Sequence, residues 1–259
     1  MFNITEFNIY GLHGDKDIKV KLEDSALILV GENGAYKTTI VSLFYGLLDY
    51  NRVFLDKYSY KRLEVVIDGT KFCYDYGVRP RTRLYDTDLY KSYYPYYITD
   101  SFLVKGENLD WFLQRDRFES VELLDALCSV CNKYLVDKEL VHVPETGDAK
   151  FLHLREKKDG VGGIVLGKPV NHYHLSDAEL KILYIFFKLY LNDVKLFLVI
   201  DEIERGLSVE WQETILEDIK KAPSFAGMVV TTHSPFVFSN SLRKYAHGVG
   251  SFLYKKENK

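Results

Sequence analysis

A chain of 259 residues, 47% hydrophobic and 27% charged, has the makeup of a globular protein with a full core, which excludes a disordered or fibrous chain. Its formal net charge of −3 gives no global attraction to nucleic acid or to an anionic membrane, so any such binding has to come from local patches. Cys73, Cys128 and Cys131 are too few for a disulfide framework, and no leader segment or apolar run of about 18 residues occurs, so a reduced, cytoplasmic protein without membrane contact is expected.

In chain order, residues 7–10 and 18–22 read as two short strands, the second with Ile18, Val20 and Leu22 inward and Lys19 and Lys21 outward. Residues 26–30 (ALILV) are short and apolar enough for a buried parallel strand. Gly31, Glu32, Asn33, Gly34, Ala35, Tyr36, Lys37, Thr38 and Thr39 follow, and then Ile40, Leu43, Phe44, Leu47 and Leu48 fall at helical spacing, so a helix begins near Lys37. A strand, a glycine-bearing loop and a helix, in that order, make a phosphate-binding loop: the helix start offers N–H groups with no intrahelical partner, and its dipole favours an anion. Lys37 would reach the β and γ phosphates of a nucleotide, and the Thr38 hydroxyl would take a Mg²⁺. The usual pattern is G-x-x-x-x-G-K-[ST], and Tyr36 stands where the second glycine belongs; the other reading is a loop that merely joins strand to helix.

Residues 63–67 and 71–76 flank Asp68-Gly69, a hairpin turn signal, so an antiparallel lobe interrupts the parallel core. From 74 to 97 eight tyrosines are interleaved with Arg79, Arg81 and Arg83. In an extended segment the three arginines share a face suited to a nucleic-acid backbone, with tyrosines for base stacking; the same composition also suits a lobe that packs on itself or on a protein. Pro80 and Pro95 argue against regular central strands here. Cys128 and Cys131 form a C-x-x-C within residues 119–135, where Val121, Leu124, Leu127, Cys128 and Leu135 trace a helix face; with no second pair for a zinc site, two small residues on a packed helix are expected. Between 139 and 170, Asp159-Gly160 and Gly162-Gly163 suggest turns around short strands.

Ser176 and Glu179 make a capping box, and Leu180, Leu183, Tyr184, Phe187 and Leu191 give the helix that follows a buried face. Residues 196–200 (LFLVI) form a second apolar strand ending in Asp201-Glu202, at the strand tip where a doubly wound sheet places its ligand chemistry. Asp201 would hold the Mg²⁺, directly or through water, and Glu202 would orient or deprotonate the attacking water. Gly206 breaks the chain, and Ser208 caps a helix with Trp211, Ile215, Leu216 and Ile219 inward. A third strand, 228–232, ends at His233-Ser234-Pro235, where a histidine can donate to a γ phosphate.

GENGAYKTT, LSDAE, LFLVIDEIERGLS and VVTTHSPF, in that order, resemble the Walker A, signature, Walker B with D-loop, and H-loop of an ABC-type ATPase head, in the branch with SMC, RecF and OLD-like proteins and the small AAA-family ATPases of bacterial phage defence. The resemblance covers most of the chain and implies an α/β P-loop NTPase fold in a single domain over 1–259. Antiparallel lobe strands would fall at about 1–25 and 60–100, the Walker A core at 27–50, a helical and signature region at 105–192, and the Walker B to H-loop segment at 195–236. It further implies a homodimer that sandwiches ATP and Mg²⁺, with Lys37, Thr38, Asp201, Glu202 and His233 acting from one subunit and Ser176 meeting the γ phosphate bound by the other. Lys37, Glu202 and His233 would be catalytic.

A glutamine loop is expected between Walker A and signature, with Gln114 as candidate and residues 97–104 as the strand leading to it. No heptads fill that gap, which implies a head without a coiled-coil arm, and the segment after His233 is too short for the TOPRIM nuclease of OLD-like proteins, so a separate effector protein is expected. Two residues depart from the pattern: Tyr36 and Ala178 replace glycines. Tyr36 is expected to keep a negative φ, with its N–H toward the phosphates and its ring packed on protein. The implied activity is ATP hydrolysis, at a slow rate, that switches an effector in phage defence or DNA repair; an ATP-binding scaffold without turnover and the energy subunit of an ABC transporter are the alternatives.

Overall fold

The computed structural model describes residues 3–78, 93–98, 120–144, 150–157 and 167–255. They fall into two compact units, one made of Met1–Thr99, Val194–Lys220 and Phe225–Lys259, the other of Asp100–Asp193 and Lys221–Ser224.

In the first unit, β1 (Ile4–Leu12), β2 (Lys16–Lys21), β4 (Arg62–Ile67), β5 (Thr70–Asp75) and β12 (Leu253–Lys255) build an antiparallel sheet in the order β12-β2-β1-β4-β5. The alternation expected of β2 is found, with Ile18 and Val20 buried and Lys19 and Lys21 exposed. The hairpin between β4 and β5 turns at Asp68 (φ 48°) and Gly69 (φ 75°), two successive left-handed residues, which is the turn whose twist matches that of its flanking strands.

A second sheet, entirely parallel, has the order β11-β3-β10-β9-β6, from β3 (Ala26–Val30), β6 (Tyr93–Ile98), β9 (Lys195–Ile200), β10 (Phe225–Thr232) and β11 (Ala246–Gly248). Continuous apolar runs such as ALILV and LFLVI suit strands covered on both faces. The strand β6 contains Pro95, where a regular central strand was not expected. Among the described strands it pairs only with β9, and an edge position tolerates a residue that cannot donate to the ladder.

Helix α1 (Lys37–Leu48) contacts β10, β6 and β9 of the parallel sheet and β4 of the antiparallel one. Its Ile40, Val41, Leu43, Phe44, Leu47 and Leu48 join one core with Phe7, Ile9 and Val65 from one sheet and Leu29, Phe197 and Val229 from the other. Phe44 sits between Phe7 (ring centroids 5.0 Å, edge-on) and Phe197 (5.6 Å), and each such fully buried side chain contributes about 1.5–3 kcal/mol through removal from water. A one-turn helix, α2 (Arg52–Leu55), follows.

The second unit contains α3 (Val121–Cys131), the antiparallel hairpin of β7 (Lys138–Pro144) and β8 (Lys150–Glu156), and α4 (Asp177–Tyr190). Ser120 caps α3 by accepting from Leu123 N–H, and Asn132 ties the helix end to β7 through two hydrogen bonds with the backbone of Leu140. Cys128 and Cys131 are buried on α3, as expected of a packed helix face; burial pushes the Cys128 thiol up to about 12 and raises that of Cys131 well above its ordinary value. Helix α4 departs from the single buried stripe expected: Ile182, Ile185, Phe186 and Leu189 are buried as well, and Leu180 is only half-buried. Such a helix is enclosed on several sides rather than laid on a surface. No described helix is long and apolar enough to cross a membrane. Arg79, Arg81, Arg83, Gln114 and the turns at 159–163 lie outside the described residues.

Candidate functional site

Three adjacent parallel strands, β3, β10 and β9, deliver the sequence motifs to one edge. Val30 pairs with Thr232 and Ile200 with Val230, so Gly31, His233 and Asp201 leave the sheet at nearly the same level. The carboxyl edge of a parallel sheet is where connecting loops are free to bind ligands.

The phosphate loop runs from Gly31 to Lys37. Gly34 has φ +81° with open space where a Cβ would stand, so backbone can face a ligand there. Lys37 opens α1 and is 5% exposed; its Nζ donates to the carbonyls of Gly31 (2.7 Å) and Glu32 (2.9 Å). Burial lowers its pKa, while the charges of Asp201, Glu202 and Glu204 act the other way, which places three carboxylates within electrostatic reach of this ammonium. No side chain caps α1, and no acidic residue lies in its first turn. Thr38 is exposed, and Thr39 half-buried, in that same turn.

Tyr36 does not have the negative φ expected of it. It is left-handed, at φ 64° and ψ 10°, a backbone that favours glycine and costs an L-residue about 1–2 kcal/mol. Its ring does pack on protein: the hydroxyl accepts from Lys16 Nζ at 2.5 Å, the ammonium lies 4.9 Å from the ring centroid, and the ring rests against the core. This hydrogen bond is the first cause of the raised Lys16 pKa. Lys16, at the start of β2, therefore holds the loop to the antiparallel sheet, a contact between residues 20 apart that spacing alone does not signal.

Asp201 and Glu202 follow β9. Glu202 is also left-handed (φ 53°), an unusual backbone for glutamate that aims its carboxylate to within 3.9 Å of His233 Nε2 and 3.8 Å of Arg205 Nη1. The Thr231 hydroxyl donates to Asp201 Oδ1 (2.5 Å) and accepts from the Glu202 N–H (2.8 Å). His233 is anchored by its own N–H, which donates to Glu204 Oε1 at 2.7 Å. Buried Gln212, on α5 (Val209–Lys221), donates to the Leu207 carbonyl (2.8 Å) and accepts from the Ser234 hydroxyl (2.6 Å), so it ties the loop after Glu202 to the turn bearing His233. Gln212 occupies the inward face assigned to Trp211, which is half-buried. Its spacing to Ile215, Leu216 and Ile219 carries that signal; Thr231 and Glu204 lie inside the VVTTHSPF and LFLVIDEIERGLS motifs, where residue order does not signal their contacts.

A divalent cation and a polyphosphate fit the donor set. Among the described residues no cluster of three or more His, Cys, Asp or Glu could hold a metal, so a cation here would rely on the Thr38 hydroxyl, one Asp201 carboxylate and phosphate oxygens, an arrangement suited to Mg²⁺. The uncapped start of α1 supplies the anion side.

Ser176 belongs to the second unit. The capping box is formed: Ser176 N–H and hydroxyl both donate to Glu179 Oε2 (2.8 and 2.9 Å), and Glu179 N–H returns to Ser176 Oγ (3.3 Å). Lys138 Nζ lies 3.4 Å from the other Glu179 oxygen. Ala178 is the second residue of α4, in helical conformation, so no glycine-only backbone is needed there.

Comparison with protein families matches residues 86–239, more than half of the chain, to the family described as "AAA domain, putative AbiEii toxin, Type IV TA system". No curated protein matches. Among solved structures, the chain is similar to an Smc head domain with an extended coiled coil, bound to the C-terminal domain of ScpA and derived from Pyrococcus furiosus (14% identity, 92% of each chain, TM-score 0.57). It is similar also to an SmcHead bound to the C-winged helix domain of ScpA (13% identity, 95% of this chain and 94% of that one, TM-score 0.56). A third likeness is to a "Putative ABC transporter (ATP-binding protein)" from Pyrococcus furiosus (13% identity, 96% and 99%, TM-score 0.51). At these identities the likeness is one of fold, that of a P-loop ATPase head.

Proposed function

Because the chain belongs to the AAA domain family whose description names the AbiEii toxin and type IV toxin–antitoxin systems, we propose that it is an ATP-binding, ATP-hydrolysing switch. Two copies close on ATP and Mg²⁺ and thereby control a separate effector protein in phage defence or DNA repair. The observation that carries this reading is the convergence on Lys37: the ammonium at the head of α1 lies within electrostatic reach of Asp201, Glu202 and Glu204, while His233 stands beside Glu202.

In the reaction, the uncapped α1 turn and Lys37 hold the β and γ phosphates. Thr38 and Asp201 would hold a Mg²⁺, which when bound would supply charge neutralisation at the phosphate oxygens. Glu202 accepts the proton of the attacking water as the bond between the γ phosphorus and the bridging oxygen breaks, and His233 donates a hydrogen bond to a γ oxygen. Ser176 of the partner copy completes the γ-phosphate contacts once its own bonds to Glu179 open. Hydrolysis is slow in this reading, because that opening has to precede each closed state.

The test is phosphate release from ATP with Mg²⁺ beside a sizing measurement. Wild type should release phosphate, and Glu202→Gln, which keeps shape and removes the base, should retain ATP and accumulate as a dimer. A Glu202→Gln protein that stays monomeric with ATP and Mg²⁺ would count against the dimer. ATP binding by wild type with no phosphate release would favour a second reading, a nucleotide-bound scaffold, which the self-bonded Ser176 also fits.

A further inference from the structure

Thr231 is fully buried near the end of β10, and three successive residues of the neighbouring loop are fastened to it. Its hydroxyl donates to Asp201 Oδ1 and accepts from Glu202 N–H, and its backbone carbonyl accepts from Ile203 N–H at 3.2 Å. Register explains the convergence, since Val230 pairs with Ile200 and the residues that follow them are Thr231 and Asp201. A hydroxyl has one hydrogen to donate and lone pairs to accept with, so threonine or serine can make both side-chain bonds and valine, of nearly the same shape, can make neither.

We propose that Thr231 is the positioning residue of this nucleotide site. By occupying Asp201 Oδ1 it fixes the carboxylate rotamer, and Oδ2 would be the oxygen available to a divalent cation. By accepting from Glu202 N–H it maintains the left-handed backbone that directs the Glu202 carboxylate toward His233. Both acidic groups then take their aim from the strand that carries the histidine, two residues further on. The proposal rests on the ATPase reading above and assigns a function within it to a buried residue that acts through Asp201 and Glu202.

The experiment compares full-length wild type, Thr231→Val and Thr231→Ser by three measurements: ATP binding titrated against Mg²⁺, steady-state turnover, and amide hydrogen exchange across residues 201–203. Thr231→Val should bind ATP in the absence of metal as wild type does. It should require about tenfold more Mg²⁺, lose at least about tenfold in kcat with KM for ATP little changed, and exchange the Glu202 amide about tenfold faster, the scale of one hydrogen bond. Thr231→Ser should restore all three. A folded Thr231→Val protein with wild-type Mg²⁺ dependence, kcat and exchange overturns the proposal. Should the valine variant fail to fold, exchange in wild type alone decides: a Glu202 amide as fast as an unprotected one overturns it, and a protected one supports it. Wild type that binds no ATP sinks the ATPase reading instead, and the exchange result still reports separately on Thr231.

Discussion

Two helices in this molecule begin at sequence motifs that a nucleotide ought to meet, and they begin in opposite ways. Helix α1 starts from left-handed Tyr36, with no side-chain cap and no acidic residue in its first turn. Helix α4 starts from extended Ser176 (φ −65°, ψ 159°) with a complete capping box and with Asp177 and Glu179 in its first turn. At α1 no side-chain cap and no first-turn carboxylate competes for the free N–H groups at the positive end of the dipole. At α4 two donors, the Ser176 N–H and hydroxyl, are already engaged by Glu179, and two carboxylates oppose an incoming anion. In the proposed function the α1 end takes phosphate as it stands, whereas the α4 end, closed by its own cap, reorganises first. The same motif grammar thus yields a standing site and a conditional one.

The largest expected effect is at the standing site. Lys37→Ala should weaken ATP binding at least about a hundredfold, near 3 kcal/mol, by removing the charged donor to the phosphates. Calorimetric titration of the folded variant checks this, and unchanged affinity would break the assignment of α1 as the phosphate end. Next, Ser176→Ala should lower unfolding free energy by about 1 kcal/mol, the ordinary worth of an N-cap, and leave ATP affinity of the dilute protein unchanged while abolishing ATP-dependent dimerisation. Denaturant titration with sizing separates the two effects; an unaltered dimer would show that the capped end has no part in closure. Smallest is Tyr36. Tyr36→Gly should exceed Tyr36→Ala in stability by about 1 kcal/mol, because only glycine relieves the left-handed backbone, and both should bind ATP within about tenfold of wild type. Equal stability of the two variants would mean that the loop relaxes out of the left-handed region when the ring is lost.

Much of this could be read from local signals. The strand, loop and helix over 26–48, the Asp68-Gly69 hairpin and the Ser176 capping box each depend on residues within a few positions of one another, and each is present. The Tyr36 backbone could not be read, because composition does not state a dihedral; a tyrosine anchored by Lys16 tolerates what a free one would avoid. Strand β6, at an edge among the described strands, was obscured by Pro95, whose effect depends on which neighbours pair with it. The strands β11 and β12 are three residues each, too short to carry a period. Thr231 became visible only when β10 was set beside β9, which brought it to Asp201 across 30 positions of chain.

The strand pairing of the first unit has a consequence for how the protein is made. The phosphate-loop strand β3 lies between β10 and β11, and β2 is paired on one side by β12, so the early strands wait for residues 225–255 to complete their ladders. On the ribosome the chain therefore passes through a long interval in which β3 has emerged with neither lateral neighbour, an apolar ALILV segment with open edges. Such long-range parallel pairing is slow to form, so the loop at the end of β3 is among the last features to take shape.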